Sequence, residues 1–173
     1  KVFASKPEEA PSLIETPPAE RLPIISYVGA FEDAILQQAI QRELDRDGQV
    51  FVVHNRISTL PLLAQKVHRL VPEASISTAH GQMHDKELSR IMQTFSDGGT
   101  NILVSTNIIE SGLDIPNANT IIIDRADHFG LAELYQLRGR VGRSSTQAYA
   151  YFFHDRKAKL TEEAKERLNT LRE

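Results

Sequence analysis

The sequence predicts an α/β domain on a mostly parallel central sheet, and three observations carry that expectation. Short apolar runs alternate with amphipathic stretches of helical period from Leu22 onward, the pattern of successive βαβ units. Turn and cap residues fall between them, among them Gly48, Pro61, Pro72 and the Gly98-Gly99 pair. With 173 residues, 40% hydrophobic and 25% charged, the chain is long enough to enclose one core.

Residues 1–23 hold five of the eight prolines together with Glu8, Glu9, Glu15 and Glu20, so 1–21 is expected to be an extended arm or linker ahead of a domain over 22–160. A first strand is expected over 22–28. The following helix, about 31–46, places Phe31, Ile35, Leu36, Ala39, Ile40 and Leu44 at helical spacing, with Gly48 closing it. Residues 49–54 have the composition of a buried strand. Ser58 and Thr59 offer N-caps before Pro61, and Leu62, Leu63, Val67 and Leu70 form the apolar stripe of the next helix. A weaker strand signal covers 74–78, a helix 85–95, and strands 101–105 and 120–124. A helix begins near Leu131, a strand covers 148–153, and a terminal helix from Thr161 leads out of the domain over 161–173.

Composition excludes several function classes. Without Cys there are no disulfides or thiolate metal sites, and a reducing, cytoplasmic compartment is expected. The longest unbroken apolar runs, such as 51–53 and 121–123, fall far short of the roughly 20 residues that cross a bilayer, so no membrane partner is expected. The chain opens on Lys1 without Met or an apolar leader core, and a piece of a longer polypeptide is expected. A net charge of -3 and a pI near 6.1 exclude a uniformly basic surface, so nucleic-acid contact has to be local.

Ligands in an open parallel sheet gather beyond the carboxyl ends of the strands, and two segments there are too polar for a core. Strand 101–105 runs into Thr106-Asn107-Ile108-Ile109-Glu110-Ser111-Gly112-Leu113-Asp114-Ile115-Pro116. This offers a hydroxyl at a strand end, a glycine free to take positive φ, and an acid two residues later. A simple turn shaped by Gly112 and Asp114 explains the same pattern. The second segment is Gln136-Leu137-Arg138-Gly139-Arg140-Val141-Gly142-Arg143. On a helix Gln136, Arg140 and Arg143 share one face, whereas Leu131, Leu134, Leu137 and Val141 form another that packs on the sheet. Each glycine in a helix costs roughly 0.8 to 1 kcal/mol against Ala, so Gly139 and Gly142 suit a close backbone approach or a helix end. Two guanidinium forks three residues apart match phosphoryl oxygens better than lysines would. A solvated basic face is the bland alternative.

No G-x-x-x-x-G-K-[ST] phosphate loop occurs, nor a G-x-G-x-x-G, H-E-x-x-H or G-x-S-x-G motif. Arginines aimed at a phosphate without a cradle suggest half of a composite site. His80 and His84 lack a third ligand, and no metal site is expected. His54 at a strand end fits a satisfied imidazole, Asp124 and Asp127 fit structural contacts, and Gln147 has no assigned role.

These residues resemble the second RecA-like domain of superfamily 2 helicases and translocases. QLRGRVGR is similar to motif VI and TNIIESGLDIP to motif V, while HGQM at 80–83 and the run 124–143 place the resemblance nearest the transcription-repair coupling factor branch. RecG-type branch-migration helicases are the neighbouring alternative, and a docking module that kept the fold without catalysis is another. The similarity covers residues 12–173; residues 1–11 do not look like the family. Leu137 stands where helicases with Q-R-x-G-R-x-G-R carry Arg, so any role of that Arg is absent here.

The resemblance implies a RecA-like, three-layer fold with helices on both faces of the sheet. It implies that Arg140 and Arg143 are arginine fingers toward the γ-phosphate of ATP, with Gln136 nearby. Gly112 and Asp114 would line the ATP side, Thr106 would bond a DNA backbone phosphate, and Gly81 would meet the tracking strand. ATP with Mg would be held mainly by a preceding RecA-like lobe, so the isolated domain should be inactive. The implied partners are double-stranded DNA and that lobe, with RNA polymerase and excision-repair proteins reached through other domains of a parent translocase.

Overall fold

A computed structural model describes residues 22–106, 115, 117–142, 145–155 and 160–172. Within them the chain runs β1 (Ile25–Ala30), α1 (Asp33–Asp45), β2 (Gln49–Val53), α2 (Leu60–Leu70), β3 (Ile76–Ala79), α3 (Asp85–Ser96), β4 (Ile102–Ser105) and β5 (Ala118–Ile123). A 3-10 turn (Ala126–His128), α4 (Leu131–Arg138), β6 (Tyr149–His154) and α5 (Glu162–Leu171) follow. The strands form one sheet in the order β1-β6-β5-β2-β4-β3, with every pair parallel.

The apolar runs are unbroken because the central strands are covered on both faces. Side-chain alternation sorts them into two cores. Val50, Val52, Ile102, Val104, Ile122 and Phe153 pack under α1 and α2 with Leu36, Ile40, Leu63 and Val67. Phe51, Val53, Leu103, Ile121, Ile123 and Phe152 face the other way, onto Met92 and Phe95 of α3, Leu134 and Leu137 of α4, and Leu168 and Leu171 of α5. The expected three-layer α/β architecture is therefore formed, with the last helix packed into the second core.

Several boundaries move for local reasons. Strand β1 starts three residues later than expected. Proline lacks an N–H, so Pro23 cannot join the ladder, and Ile25 is the first residue to pair, donating to the Ala148 carbonyl at 3.0 Å. Thr59 does precede α2, but its side chain makes no cap bond; the hydroxyl bonds His54 instead. At the end of α1 the left-handed residue is Asp47, with φ 62, not Gly48. Gly48 answers to a different demand, since a Cβ there would collide with the Glu43 carboxylate. That carboxylate is buried and accepts from Thr120 in β5 and from Arg46, both at 2.5 Å, which ties α1 to the sheet.

Candidate functional site

At the carboxyl end of the sheet, β2, β3 and β4 deliver His54, Gly81 and Thr106 to a hollow of about 410 Å³ that Asn55, Gln82, His128 and Glu133 also line. The Thr106 N–H donates to the Ala79 carbonyl at 3.1 Å, which continues the β3–β4 pairing one residue past the strand and sets the half-buried Thr106 at the rim. Gly81 is exposed, and a Cβ placed on it would meet nothing within 4 Å. Packing therefore does not require a glycine here. The turn is held by His80, whose Nδ1 accepts from the Gln82 N–H at 3.2 Å.

His54 itself is committed to the fold. It is buried, with Nδ1 at 2.8 Å from Asp124 Oδ2 and Nε2 at 2.5 Å from Thr59 Oγ1. An imidazole that donates through Nδ1 to the carboxylate accepts the Thr59 hydroxyl proton through Nε2, and both ring nitrogens are satisfied. Asp127 is likewise structural: its carboxylate lies 3.6 Å from His128 Nε2, and its carbonyl accepts from Arg167 of α5 at 3.1 Å. Asn55 escaped sequence reasoning. Its Oδ1 is buried without a hydrogen-bond partner among the described residues, on the wall shared with Gly81 and Thr106. Its place just past a strand end was the available signal.

The arginine segment does not lie at this end. Helix α4 runs back along the sheet, antiparallel to the strands, and stops at Arg138. Gln136 is on the last turn of α4, and Arg140 is on the turn that follows, so these two do not share one helix face. There the Arg140 N–H donates to the Leu137 carbonyl at 3.0 Å and the Val141 N–H to the Arg138 carbonyl at 3.3 Å. Leu134, Leu137 and Val141 are buried as expected. Gly142 takes φ +79 and a Cβ on it would lie 3.3 to 3.4 Å from Ile24 and Ala148, just ahead of β1 and β6. The turn thus sits at the amino end of the strands. Packing of Leu137 and Val141 turns Arg140 outward, half-exposed, and none of the described carboxylates pairs with it. Arg143, Gly112 and Asp114 lie outside the described residues.

A family model for the helicase conserved C-terminal domain matches residues 32–145. The chain belongs to that family. This helicase C-terminal domain is 50% identical over 162 residues to a transcription-repair-coupling factor of Staphylococcus haemolyticus, covering 94% of this chain and 14% of that protein. Its fold matches a structure of RecG bound to a three-way DNA junction at a TM-score of 0.78 and 32% identity, over 94% of this chain and 22% of that one. The second helicase domain of a DEAD-box protein bound to an RNA duplex matches at a TM-score of 0.64 and 18% identity, over 87% of this chain and 70% of that one. The chain spans only about 14% of the length of the curated relatives it matches.

Thr106 follows β4 at the carboxyl end and Asn117 precedes β5 at the amino end. The described residues that flank the motif V segment thus stand at opposite ends, with the Gly81 hollow at one and the Arg140 turn at the other. Among the described residues no group of three or more His, Asp or Glu is placed to hold a metal ion. No helix among them is long and apolar enough to cross a membrane.

Proposed function

We propose that the chain is the second motor lobe of an ATP-driven double-stranded DNA translocase of the transcription-repair coupling type. The parent displaces stalled RNA polymerase and couples to nucleotide excision repair through its other domains. The observation that carries this reading is Arg140, a half-exposed guanidinium with no described acidic partner, held outward on a turn. The buried Leu137 and Val141 flank it on that turn.

In this reading ATP supplies a γ-phosphate whose charge develops as it leaves, gripped by the preceding lobe together with Mg²⁺. Arg140 and Arg143 reach across the closed interface to that charge, with Gln136 one helical turn away, and Gly112 and Asp114 line the nucleotide side. An arginine finger of this kind is worth on the order of 10³ to 10⁵ in rate, because it acts in a cleft from which water is excluded. At the opposite end Thr106 and the Gly81 backbone hold the phosphates of the tracking strand. These contacts carry no sequence information. Closing and opening of the two lobes then moves the DNA-holding end relative to the partner lobe, which turns hydrolysis into a step.

The test is DNA-stimulated ATP hydrolysis by the full-length protein carrying Arg140→Ala or Arg143→Ala. A fall in kcat of at least about 10³ is expected with DNA affinity retained. Unchanged turnover in both variants identifies a docking module instead. The likeness to RecG favours a second reading, a branch-migration helicase lobe. Stronger stimulation by a three-way junction than by linear duplex would select it.

A further inference from the structure

We infer that the open sheet edge at β1, with the groove beside it under α1, docks an extended, carboxylate-bearing protein segment supplied by another part of the parent. This rests on the reading of the chain as one lobe of a longer protein. Strand β1 ends the sheet, with β6 as its one described neighbour. The Ile25 N–H donates to the Ala148 carbonyl at 3.0 Å and the Phe31 N–H to the His154 carbonyl at 2.8 Å. With a strand period of two, the main-chain groups of Ser26, Val28 and Ala30 therefore point away from β6. Among the described residues only the Val28 carbonyl of that outward row finds a partner, Arg172 Nη2 at 3.2 Å, and a carbonyl keeps a second lone pair for a ladder bond. Edge strands are ordinarily guarded by charge, proline or a bulge. Ile25–Ala30 carries no charged residue and no proline, and it pairs with β6 in unbroken register. An edge of this kind calls for cover in the intact protein.

The side chains beside the edge specify what the cover carries. Helix α1 lies mainly against β5 and β2, so Ile25 and Tyr27 on that face of β1 stay 51% and 37% exposed, with Leu22 just ahead of them at 49%. A groove of about 290 Å³ results, between Ile25, Tyr27, Tyr149 and Tyr151 on the sheet and Ile35 and Arg42 on α1. Gly29 shapes it, because a Cβ there would lie 2.8 Å from Tyr27 Oη and push the ring aside. The ring instead packs toward Tyr151 and Phe153, with centroids 5.7 and 6.0 Å away. Arg42 Nη2 donates to the Tyr151 hydroxyl at 3.1 Å, and Arg42 and Arg46 both stand over the Tyr149 ring, 4.4 and 5.4 Å from its centroid. Arg46 is paired with Glu43, whereas no described carboxylate pairs with Arg42. The Tyr151 hydroxyl accepts from Arg42 and so has its own proton to give, and burial raises its pKa, which keeps that proton in place. A guanidinium and a phenol O–H side by side suit a carboxylate. An added strand supplies main-chain bonds to β1 while its alternate side chains enter the groove, apolar ones against Ile25 and Tyr27 and an acidic one against Arg42. Stacked tyrosines and arginines also suit a single-stranded nucleic acid, but a nucleic acid has no peptide ladder to complete the edge.

The experiment places p-benzoylphenylalanine at the exposed Gln38, on the α1 wall of the groove, in the full-length protein. The photo-cross-linked peptide is mapped by mass spectrometry, and amide hydrogen exchange of β1 is followed in parallel. The expected result is a cross-link within one molecule, to an Asp- or Glu-bearing segment outside residues 1–173, with the Ser26, Val28 and Ala30 amides protected. Arg42→Glu sets like charges against each other, so it should lower the cross-link yield at least about tenfold and speed exchange at those amides by a similar factor. Tyr151→Phe removes one hydrogen bond and should lower the yield about three- to tenfold. If Arg42→Glu does not fold by thermal melting, Arg42→Gln and Tyr151→Phe decide. A cross-link to a second copy, to residues 1–21 or to a segment without an acid overturns the inference. So does the absence of any cross-link, unchanged yield in the folded variants, or fast exchange at the three amides in the unsubstituted protein. A cross-link to added single-stranded DNA in place of protein makes the groove a nucleic-acid surface and overturns it as well. Full ATP turnover in Arg140→Ala with the expected cross-link present removes the arginine finger and leaves the docking edge standing. Lost turnover in Arg140→Ala with no cross-link refutes the docking edge alone.

Discussion

Two glycines show how differently one residue type is used in this chain. Gly48 lies over a buried carboxylate: Glu43 has Oε1 bonded to Thr120 and Arg46, and its Oε2 is buried without a partner. A methyl group at position 48 must displace that carboxylate, so Gly48→Ala is expected to cost about 1 to 3 kcal/mol, the usual penalty of overpacking, in urea unfolding of the domain. A change below about 0.5 kcal/mol would mean that the Glu43 side chain moves aside freely. Gly81 is the opposite case. With open space around it, Gly81→Ala should leave stability within about 0.5 kcal/mol yet weaken DNA binding, as a change at a bare-backbone contact should. Equal DNA affinity in that variant would remove Gly81 from the nucleic-acid surface. Both glycines stand out in the sequence as turn residues. Only the contacts around each tell a steric need from a ligand's need.

Among the elements, α4 carries the main lesson. Its apolar spacing announces a helix that packs through Leu134, Leu137 and Val141, and all three are buried. The helix nevertheless ends at Arg138, where Arg140 and Val141 bond three residues back, and Gly142 then takes φ +79 beside Ile24 and Ala148. Spacing alone places Arg140 on the face of Gln136, whereas Gly139 and Gly142 already offered a helix end. Gly142→Ala forces an L-residue into left-handed backbone at a cost of about 1 to 2 kcal/mol, measurable as a shifted urea midpoint. An unshifted midpoint would show that the turn relaxes. Strand β1 is a milder case, displaced because Pro23 cannot pair. Helix α5 starts where Thr161 foretells, its hydroxyl accepting from the Ala164 N–H at 3.1 Å. The first-turn cap is a local interaction and is legible locally.

On the scale of the whole molecule, the separation of the two proposed functional ends has consequences for solution behaviour. Among the described residues, no Lys or Arg lines the hollow that holds Gly81 and Thr106. Binding there relies on backbone and hydroxyl donors, so the isolated domain should bind duplex DNA weakly. The logarithm of affinity should fall only gently with the logarithm of salt, corresponding to about one or two displaced counterions. A slope typical of six or more phosphates would locate the DNA on another surface. The isolated domain should hydrolyse no ATP at any DNA concentration, because the phosphate-gripping loop is absent from its sequence. Steady turnover by the isolated domain would contradict the division of labour between two lobes.

The order of elements, the parallel sheet, the two-sided burial and the identity of the polar segments were all written in the residues. Each depends on periodicity, caps or side-chain chemistry within a few positions of the chain. Folding decided which end of the sheet each segment reaches, that Arg140 leaves the helix to point outward, that Asn55 joins the hollow, and that Arg42 of α1 meets Tyr151 of β6 beside an open sheet edge. Those outcomes depend on contacts between residues far apart in sequence, such as Arg42 and Tyr151, whose energies no local pattern contains.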